Sequence, residues 1–313
     1  QSKVSYIVIL FAANPSEIDN DGRIMGGHDA KPHSHPYMVS LQTRFLFVRM
    51  HICGGALINE NFILSAAHCA TESWMIRWLP LDAVAGAHAV NKFKAQTQII
   101  QVQHRIPHPL YNGGIGPHDI GLFKTIKPFV FTKLVQPIPL STGYKSQAGI
   151  LKLLGWGALR TTIFIPDVPD RLQEVAVTYL PPKECHAVID KFLEPNELNP
   201  LDEEAHICTG PTSGGFAACL GDSGGPLVQI IPSTDDTVEN DTDTVNTTLY
   251  TVPNISDIHL NNSDSRSKSF ETVLLLGIVS WGVSPCGERG APTVYTNVAK
   301  YIDFINYNIK DYN

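Results

Sequence analysis

The sequence predicts an all-β protein closed by a C-terminal α-helix, and three observations carry that expectation. Short apolar stretches are separated throughout by glycine- and proline-containing turns, with 24 Gly and 22 Pro in 313 residues, the punctuation of a strand-rich chain. Tyr37, Val39 and Leu41 alternate with polar neighbours, and Val273 to Val279 is a continuous apolar run. The first has the period of a half-buried strand and the second the composition of a buried one. Val298, Tyr301, Ile302, Ile305 and Ile309 share one face at helical spacing, which predicts a final amphipathic helix. No internal repeat interrupts this pattern.

Composition narrows the class. A chain with 43% hydrophobic and 17% charged residues can bury a core and is not disordered. Its net charge of −7 offers no basic footprint, which argues against a nucleic-acid partner. Beyond the N-terminus no apolar run approaches the ~18 residues of a membrane-spanning helix. At the N-terminus Lys3 precedes an apolar run from Val4 to Ala13. That is the layout of a secretory signal peptide, here partial, over residues 1–13, in a chain that begins with Gln1. Ala13 suits the position before a cut, Phe11 is not small, and an internal strand is the competing reading. Six cysteines leave every pairing open from sequence alone. No Cys-x-x-Cys or His-Glu-x-x-His segment suggests a metal site, and no motif suggests a cofactor. Disulfides and a signal peptide together predict a secreted, extracellular protein.

Three segments carry chemistry. In Gly221-Asp222-Ser223-Gly224-Gly225-Pro226 a serine is held on a tight turn whose N–H groups can face a developing oxyanion. Serine is a poor nucleophile without a base, and Ser65-Ala66-Ala67-His68-Cys69 supplies one. His118-Asp119-Ile120-Gly121-Leu122 offers a carboxylate to orient that histidine. A histidine before a cysteine is most often structural, and a glycine-rich serine turn is most often only a turn. Their joint occurrence, in the order His, Asp, Ser, is what gives them weight.

These segments resemble the trypsin/chymotrypsin family of serine proteases, whose triad follows the same chain order. The resemblance runs from about Arg23 to the C-terminus, apart from one insertion. It implies two six-stranded antiparallel β-barrels with the site between them, His68 and Asp119 from the first and Ser223 from the second. It implies that Ser223 attacks a peptide carbonyl while His68 takes and returns the proton. Asp119 would hold the imidazole, and the N–H groups of Gly221 and Ser223 would form the oxyanion hole. Each such donor is worth roughly 3–4 kcal/mol in the transition state.

The family pattern also selects the disulfides Cys53–Cys69, Cys185–Cys208 and Cys219–Cys286. The first closes a short loop worth about 3 kcal/mol in the chain-entropy model. A further bridge common in the family would join positions 151 and 229, which here are Leu151 and Gln229. The loop after Gly86, where relatives can bind calcium, reads Ala87-His88-Ala89-Val90 and lacks carboxylates. Arg23-Ile24-Met25-Gly26-Gly27 resembles the family's activation site. This makes residues 14–23 an acidic, cysteine-free prosegment and 24–313 the peptidase domain. A cut after Arg23 would free the Ile24 amine to pair with Asp222. Before the cut, His51 matches the residue that can hold this aspartate, and a buried structural histidine is an equal reading.

The specificity pocket follows by the same resemblance. Ala217 stands where trypsin-like members carry an aspartate, so a basic side chain would be buried unpaired. Ser280-Trp281-Gly282 resembles the strand that pairs with the substrate backbone, and Trp281 can equally be a core aromatic. Gly282 leaves the entrance open, and Thr293 narrows the wall. Small to medium apolar residues before the scissile bond are expected, with Leu or Phe as the alternative. The implied partners are protein or peptide substrates, an activating trypsin-like protease, and serpins or other protein inhibitors, acting on a monomer that engages neither nucleic acid nor membrane. A catalytically silent homologue serving as a binding cofactor is the second class of function, and the intact triad speaks against it.

One segment departs from the family. The polar stretch 232–270 replaces a short hairpin turn and holds seven acidic and two basic residues, a net of −5. It also carries all four Asn-x-Ser/Thr sequons, at Asn240, Asn246, Asn254 and Asn261. It reads as a glycosylated surface loop, or more plainly as a disordered one.

Overall fold

The structure, a computed structural model, describes residues 27–45, 48–71, 78–144, 149–158, 169–211, 213, 217–219, 221–232, 271–283, 286 and 289–312. Strands β2 (Met38–Phe45), β3 (Val48–Leu57), β4 (Phe62–Ser65), β5 (Leu81–Ala85), β6 (Gln98–Pro107) and β7 (Gly121–Thr125) close into a barrel in the order β2-β3-β4-β7-β6-β5. Closure removes the exposed edges that an open sheet would present. The second barrel uses β8 (Ile150–Gly155), β9 (Gln173–Leu180), β10 (His206–Gly210), β11 (Pro226–Pro232), β12 (Glu271–Gly282) and β13 (Thr293–Asn297). Its ring runs β8-β9-β10-β13-β12-β11 and returns to β8, and every pairing is antiparallel. The short β1 (His28–Asp29) pairs with β9 outside that ring. The expected two six-stranded barrels are present.

The alternation expected at residues 37–41 is only half of what the fold uses. Tyr37, Val39 and Leu41 are buried, but so are Met38, Ser40 and Gln42. The polar side chains turn toward one another and not toward water. The Gln42 amide donates to Ser40 Oγ and to Val90 O, both at 2.9 Å, as burial of polar groups requires. Val273–Val279 lies within β12, as the apolar run predicts. Phe62, Ile63 and Leu64 of β4 are fully buried, each burial contributing about 1.5–3 kcal/mol.

The C-terminal helix begins later than its periodicity suggests. Val298–Tyr301 is a 3-10 turn, capped by Asn297 Oδ1 accepting from Ala299 N at 3.2 Å. Two short helices precede it, α1 (His68–Thr71) and α2 (Pro182–Ile189), and α3 (Ile302–Asp311) follows. Helix α3 runs back over the first barrel, with Phe304 against His108 and Tyr312 against His104. Among the described residues no helix is long and apolar enough to cross a membrane.

The three disulfides are Cys53–Cys69, Cys185–Cys208 and Cys219–Cys286, the pairing that the resemblance implied. Leu151 and Gln229, the positions of a fourth bridge in relatives by the resemblance, are register partners across the β8–β11 ladder. The sequons and nearly all of the insertion lie outside the described residues. The insertion leaves from Pro232 and returns at Glu271, which are themselves paired at the end of the β11–β12 hairpin. A long loop grafted on a closed hairpin costs little, because closure entropy grows with the logarithm of length. Joining residue 231 to residue 271 through a short Gly-containing turn should leave the melting temperature within about 4 °C of the parent and small-peptide turnover within about twofold. A large loss of either would make the segment part of the folded machinery.

Candidate active site

The serine turn follows Cys219 and leads directly into β11. Three contacts fasten it to neighbouring strands. Gly54 N of β3 donates to Ser223 O at 2.8 Å, Gly224 N donates to Val279 O of β12 at 2.9 Å, and Val279 N donates back to Gly225 O at 2.9 Å. Gly224 has φ of +74°, and a Cβ there would stand 2.0 Å from Ser65 Oγ. Only glycine serves both demands. Ser65 lies three residues before His68, so this close approach brings the serine turn onto the segment that carries the histidine. Ser223 is half-buried.

Asp119 is the most heavily bonded side chain of the site. It is 1% exposed. His68 N donates to Oδ1 at 2.9 Å, and the His68 ring pairs through Nδ1 with Oδ2 at 2.8 Å. The Ser280 hydroxyl donates to Oδ2 at 2.6 Å. Burial pushes the carboxyl up, but the charge of His68, the hydrogen bonds from its ring and amide, and the Ser280 hydroxyl together outweigh it. The carboxyl is held below its ordinary value and stays ionised. With Nδ1 turned to Asp119, Nε2 of His68 is the atom left for proton transfer.

Two further residues hold Asp119 in place, and no motif in the sequence marked either. Thr296 Oγ1 of β13 donates to Asp119 O at 2.6 Å. Tyr301 OH accepts from His118 N at 3.1 Å and pairs with His118 Nδ1 at 3.1 Å. His118, at φ +68°, is thereby clamped beside the carboxylate it precedes. Ser280 was assigned to substrate pairing from its strand. Its side chain has a different task, on Asp119.

The amides of the serine turn divide into two sets. Asp222 N donates to Cys219 O, Gly224 N to Val279 O, and Gly225 N to Asp222 O, all within 2.9 Å. The N–H groups of Gly221 and Ser223 have no acceptor among the described residues. They are the pair the sequence assigned to an oxyanion.

Asp222 is fully buried. Gly157 N donates to Oδ1 at 2.8 Å and Cys219 N to Oδ2 at 2.9 Å. Burial raises its carboxyl to about 6 despite those two bonds. A Cβ on Gly157 would lie 2.4 Å from this carboxylate, so the segment after β8 must pass it as glycine. The hydrogen bonds of His51 do not go to Asp222. Its Nε2 lies 2.9 Å from Gly221 O and its Nδ1 2.7 Å from Ser40 Oγ. Of the two readings of His51, a buried structural histidine is what the fold uses. Burial lowers its pKa to about 4, against the opposing hydrogen bond to Gly221, so the ring is neutral above that. Ile24 lies outside the described residues.

At the candidate pocket, Ala217 and Thr293 are buried. Ala218 N donates to Thr293 Oγ1 at 3.2 Å, and Tyr295 OH, also bonded to Thr209 Oγ1 at 3.0 Å, reaches the same threonine. The Thr293 hydroxyl therefore turns into the protein. Among the described residues, a Cβ on Gly282 would meet Pro292 O alone, at 3.7 Å. Trp281 is half-buried, its ring edge-on to His206 with centroids 5.9 Å apart, and it packs on the Cys185–Cys208 cluster. It is a core aromatic on its inner face. The grouping of potential metal donors among the described residues is Cys53, His68 and Cys69, and both sulfurs are spent in a disulfide.

The family model that matches is Trypsin, over residues 24–230 and 259–305. The match starts at the residue after Arg23 and skips most of the polar insertion. Lectizyme of Glossina austeni is 31% identical over 93% of this chain and 88% of its own length. Granzyme-like protein 1 of Rattus norvegicus is 34% identical over 72% of the chain and 84% of its own length. Mast cell protease 3 of Ovis aries is 35% identical over 71% and 81%. On its fold, its family match and these relatives, the chain belongs to the trypsin family of serine proteases.

Proposed function

We propose that this protein is a secreted serine endopeptidase, made as an inactive precursor, cut after Arg23, and acting after small to medium apolar residues. The observation that supports it most is the doubly bonded, ionised Asp119 behind His68. A buried carboxylate so placed fixes the imidazole tautomer and stabilises the imidazolium that forms when the base takes a proton. In this reading the Ser223 hydroxyl loses its proton to His68 Nε2 as Oγ bonds the scissile carbonyl carbon. The oxygen that becomes negative is met by the Gly221 and Ser223 amides. Collapse expels the amine, which takes the proton from His68. Water then repeats the sequence on the acyl-enzyme and regenerates Ser223. The disulfides and the apolar leader support an oxidising, extracellular destination. Substrates are proteins or peptides, with an activating trypsin-like protease and serpin-type inhibitors as further partners, and no metal or other cofactor enters the scheme.

A peptide-library digest with the protein cut after Arg23, together with labelling by a serine-directed phosphonate, tests this reading. Cleavage after Ala, Val or Leu and stoichiometric labelling are expected. Absence of both would overturn it, and strong cleavage after Arg would overturn the pocket assignment. The same assay tests Thr293. Replacing Thr293→Gly removes the methyl and should shift preference toward Phe and Tyr by about 10–200-fold, the range for one pocket contact. It also strips Ala218 N of its acceptor, so a stability loss of about 1 kcal/mol should accompany the shift.

A further inference from the structure

A cavity of about 610 Å³ lies between the segment from Asp29 to His33, the loop after Gly86, and Arg171. None of its lining residues belongs to the candidate active site. Its charge is one-sided. Lys31, Lys92, Lys94 and Arg171 line it, against the single carboxylate of Asp29. Arg171 is paired with Asp29 at 2.9 Å, and Lys92 reaches out to Asp170 at 2.5 Å. Lys31 and Lys94 have no carboxylate within ion-pair distance among the described residues. His33 and His88 face each other there with ring centroids 6.3 Å apart. His88 Nδ1 is buried and has no hydrogen-bond partner among the described residues. Burial, then the nearby His33, and with them Arg171 and Lys94, hold His88 below its ordinary value, with Asp29 opposing. This concentration of cations sits on a chain whose net charge is −7.

We propose that this cavity holds the chain's own acidic segment Glu17–Asp21 while the protein is uncut. Three features favour that occupant. Glu17, Asp19 and Asp21 recur every second residue, so an extended backbone would present all three carboxylates on one side. Ile18 lies in the same stretch, and the cavity offers Pro32 and Phe93 beside its cations. Asp21 is eight residues before Asp29, itself a lining residue, so the tether spans at most about 29 Å. Attachment at that range gives an effective concentration on the order of millimolar, and a weak, salt-sensitive site then suffices. Residues 14–23 contain no cysteine, so a cut after Arg23 leaves the segment held by this site alone. That consequence rests on the precursor reading above; the docking itself does not.

Zero-length carbodiimide coupling of the uncut full chain, followed by peptide mapping, tests the placement. Glu17, Asp19 or Asp21 should be joined to Lys31 or, more tellingly, to Lys94, which is distant in sequence. Coupling of these carboxylates mainly to Lys127, Lys133 or Lys310 would overturn the proposal. So would coupling of Lys94 to the acidic residues of 232–270. A fluorescent peptide of residues 14–23, titrated onto the cut protein at low salt, tests the chemistry. Binding should weaken at least tenfold in the Lys31→Glu, Lys94→Glu double variant, which should keep its small-peptide turnover. It should weaken likewise for a peptide with Glu17→Gln, Asp19→Asn and Asp21→Asn. Equal binding in either case overturns the site, as does uptake of a sulfated polysaccharide with none of the peptide. N-terminal sequencing of the cut protein reports separately on Arg23. A cut elsewhere would refute the precursor reading and leave the coupling result standing.

Discussion

Replacing Ser223→Ala should abolish peptidase turnover, by on the order of a millionfold in kcat, with the fold unchanged. The structural half of this expectation follows from how the residue is held. Its anchoring bond is made by its backbone, with Ser223 O accepting from Gly54 N at 2.8 Å. The turn is shaped by the glycines that follow it. Removing a hydroxyl from a half-buried position deletes no core contact, so the melting temperature should move by no more than about 2 °C. The chemical half follows from the role of Oγ as the atom that bonds carbon. Nothing else on the turn can replace it, and only binding and the two free amides would remain to act on a water-driven reaction. His68→Ala should cost a similar factor, and the double variant should be no worse than either single one, because the pair acts as a unit. Turnover of a peptide ester within tenfold of wild type in Ser223→Ala would remove Ser223 from the mechanism.

The parts of the site that were legible in the sequence are those whose chemistry demands a local pattern. A serine that must be presented on a close-packed turn needs glycines beside it, and Gly224 is squeezed against Ser65 for that reason. Barrel strands need periodic apolar residues, so β12 was visible as a run. Groups that act through tertiary contact leave no such trace. Thr296 and Tyr301 reach Asp119 and His118 from sequence separations of 177 and 183, and nothing near them marks the task. His51 shows the limit from the other side. Whether it faces Asp222 or Gly221 depends on loop conformation, and the observed bonds go to Gly221 and Ser40. The alternation at residues 37–41 covers only half of the buried positions, because Ser40 and Gln42 of β2 are also buried and hydrogen-bonded to each other, to His51 and to Val90 O inside the barrel. The basic cavity was not legible: the loop after Gly86 told only of absent calcium ligands, and Lys92-x-Lys94, two residues further, joins Lys31 and Arg171 only in the fold.

Asp222 should behave in opposite ways before and after the cut. In the uncut chain the carboxylate is fully buried with two amide donors and no cationic partner among the described residues. Its pKa is raised from an ordinary 3.8 to about 6. A raised carboxyl binds its proton more tightly in the folded state, so its contribution to stability is present below pH ~4 and is lost as pH climbs through about 6. A shift of that size corresponds to about 3 kcal/mol. In Arg23→Gln, which should resist activation, Asp222→Asn ought therefore to leave stability at pH 7.5 unchanged or raised, and to flatten its decline between pH 4 and 7. After a cut at Arg23 the sign reverses. An Ile24 ammonium entering this pocket would keep the carboxylate ionised, and removing one partner of such a buried pair costs about 3–5 kcal/mol. The cut Asp222→Asn protein should then be less stable than its parent, and its peptidase activity should fall at least a hundredfold. Asp222 sits between Gly221 and Ser223, so a misplaced Asp222 withdraws both oxyanion donors together. Denaturation curves for the four combinations of cut state and residue 222, taken at pH 4.5 and 7.5, measure both signs. Equal effects of Asp222→Asn in the cut and uncut proteins would show that no new amine reaches this carboxylate, and the assignment of Ile24 would fall with it.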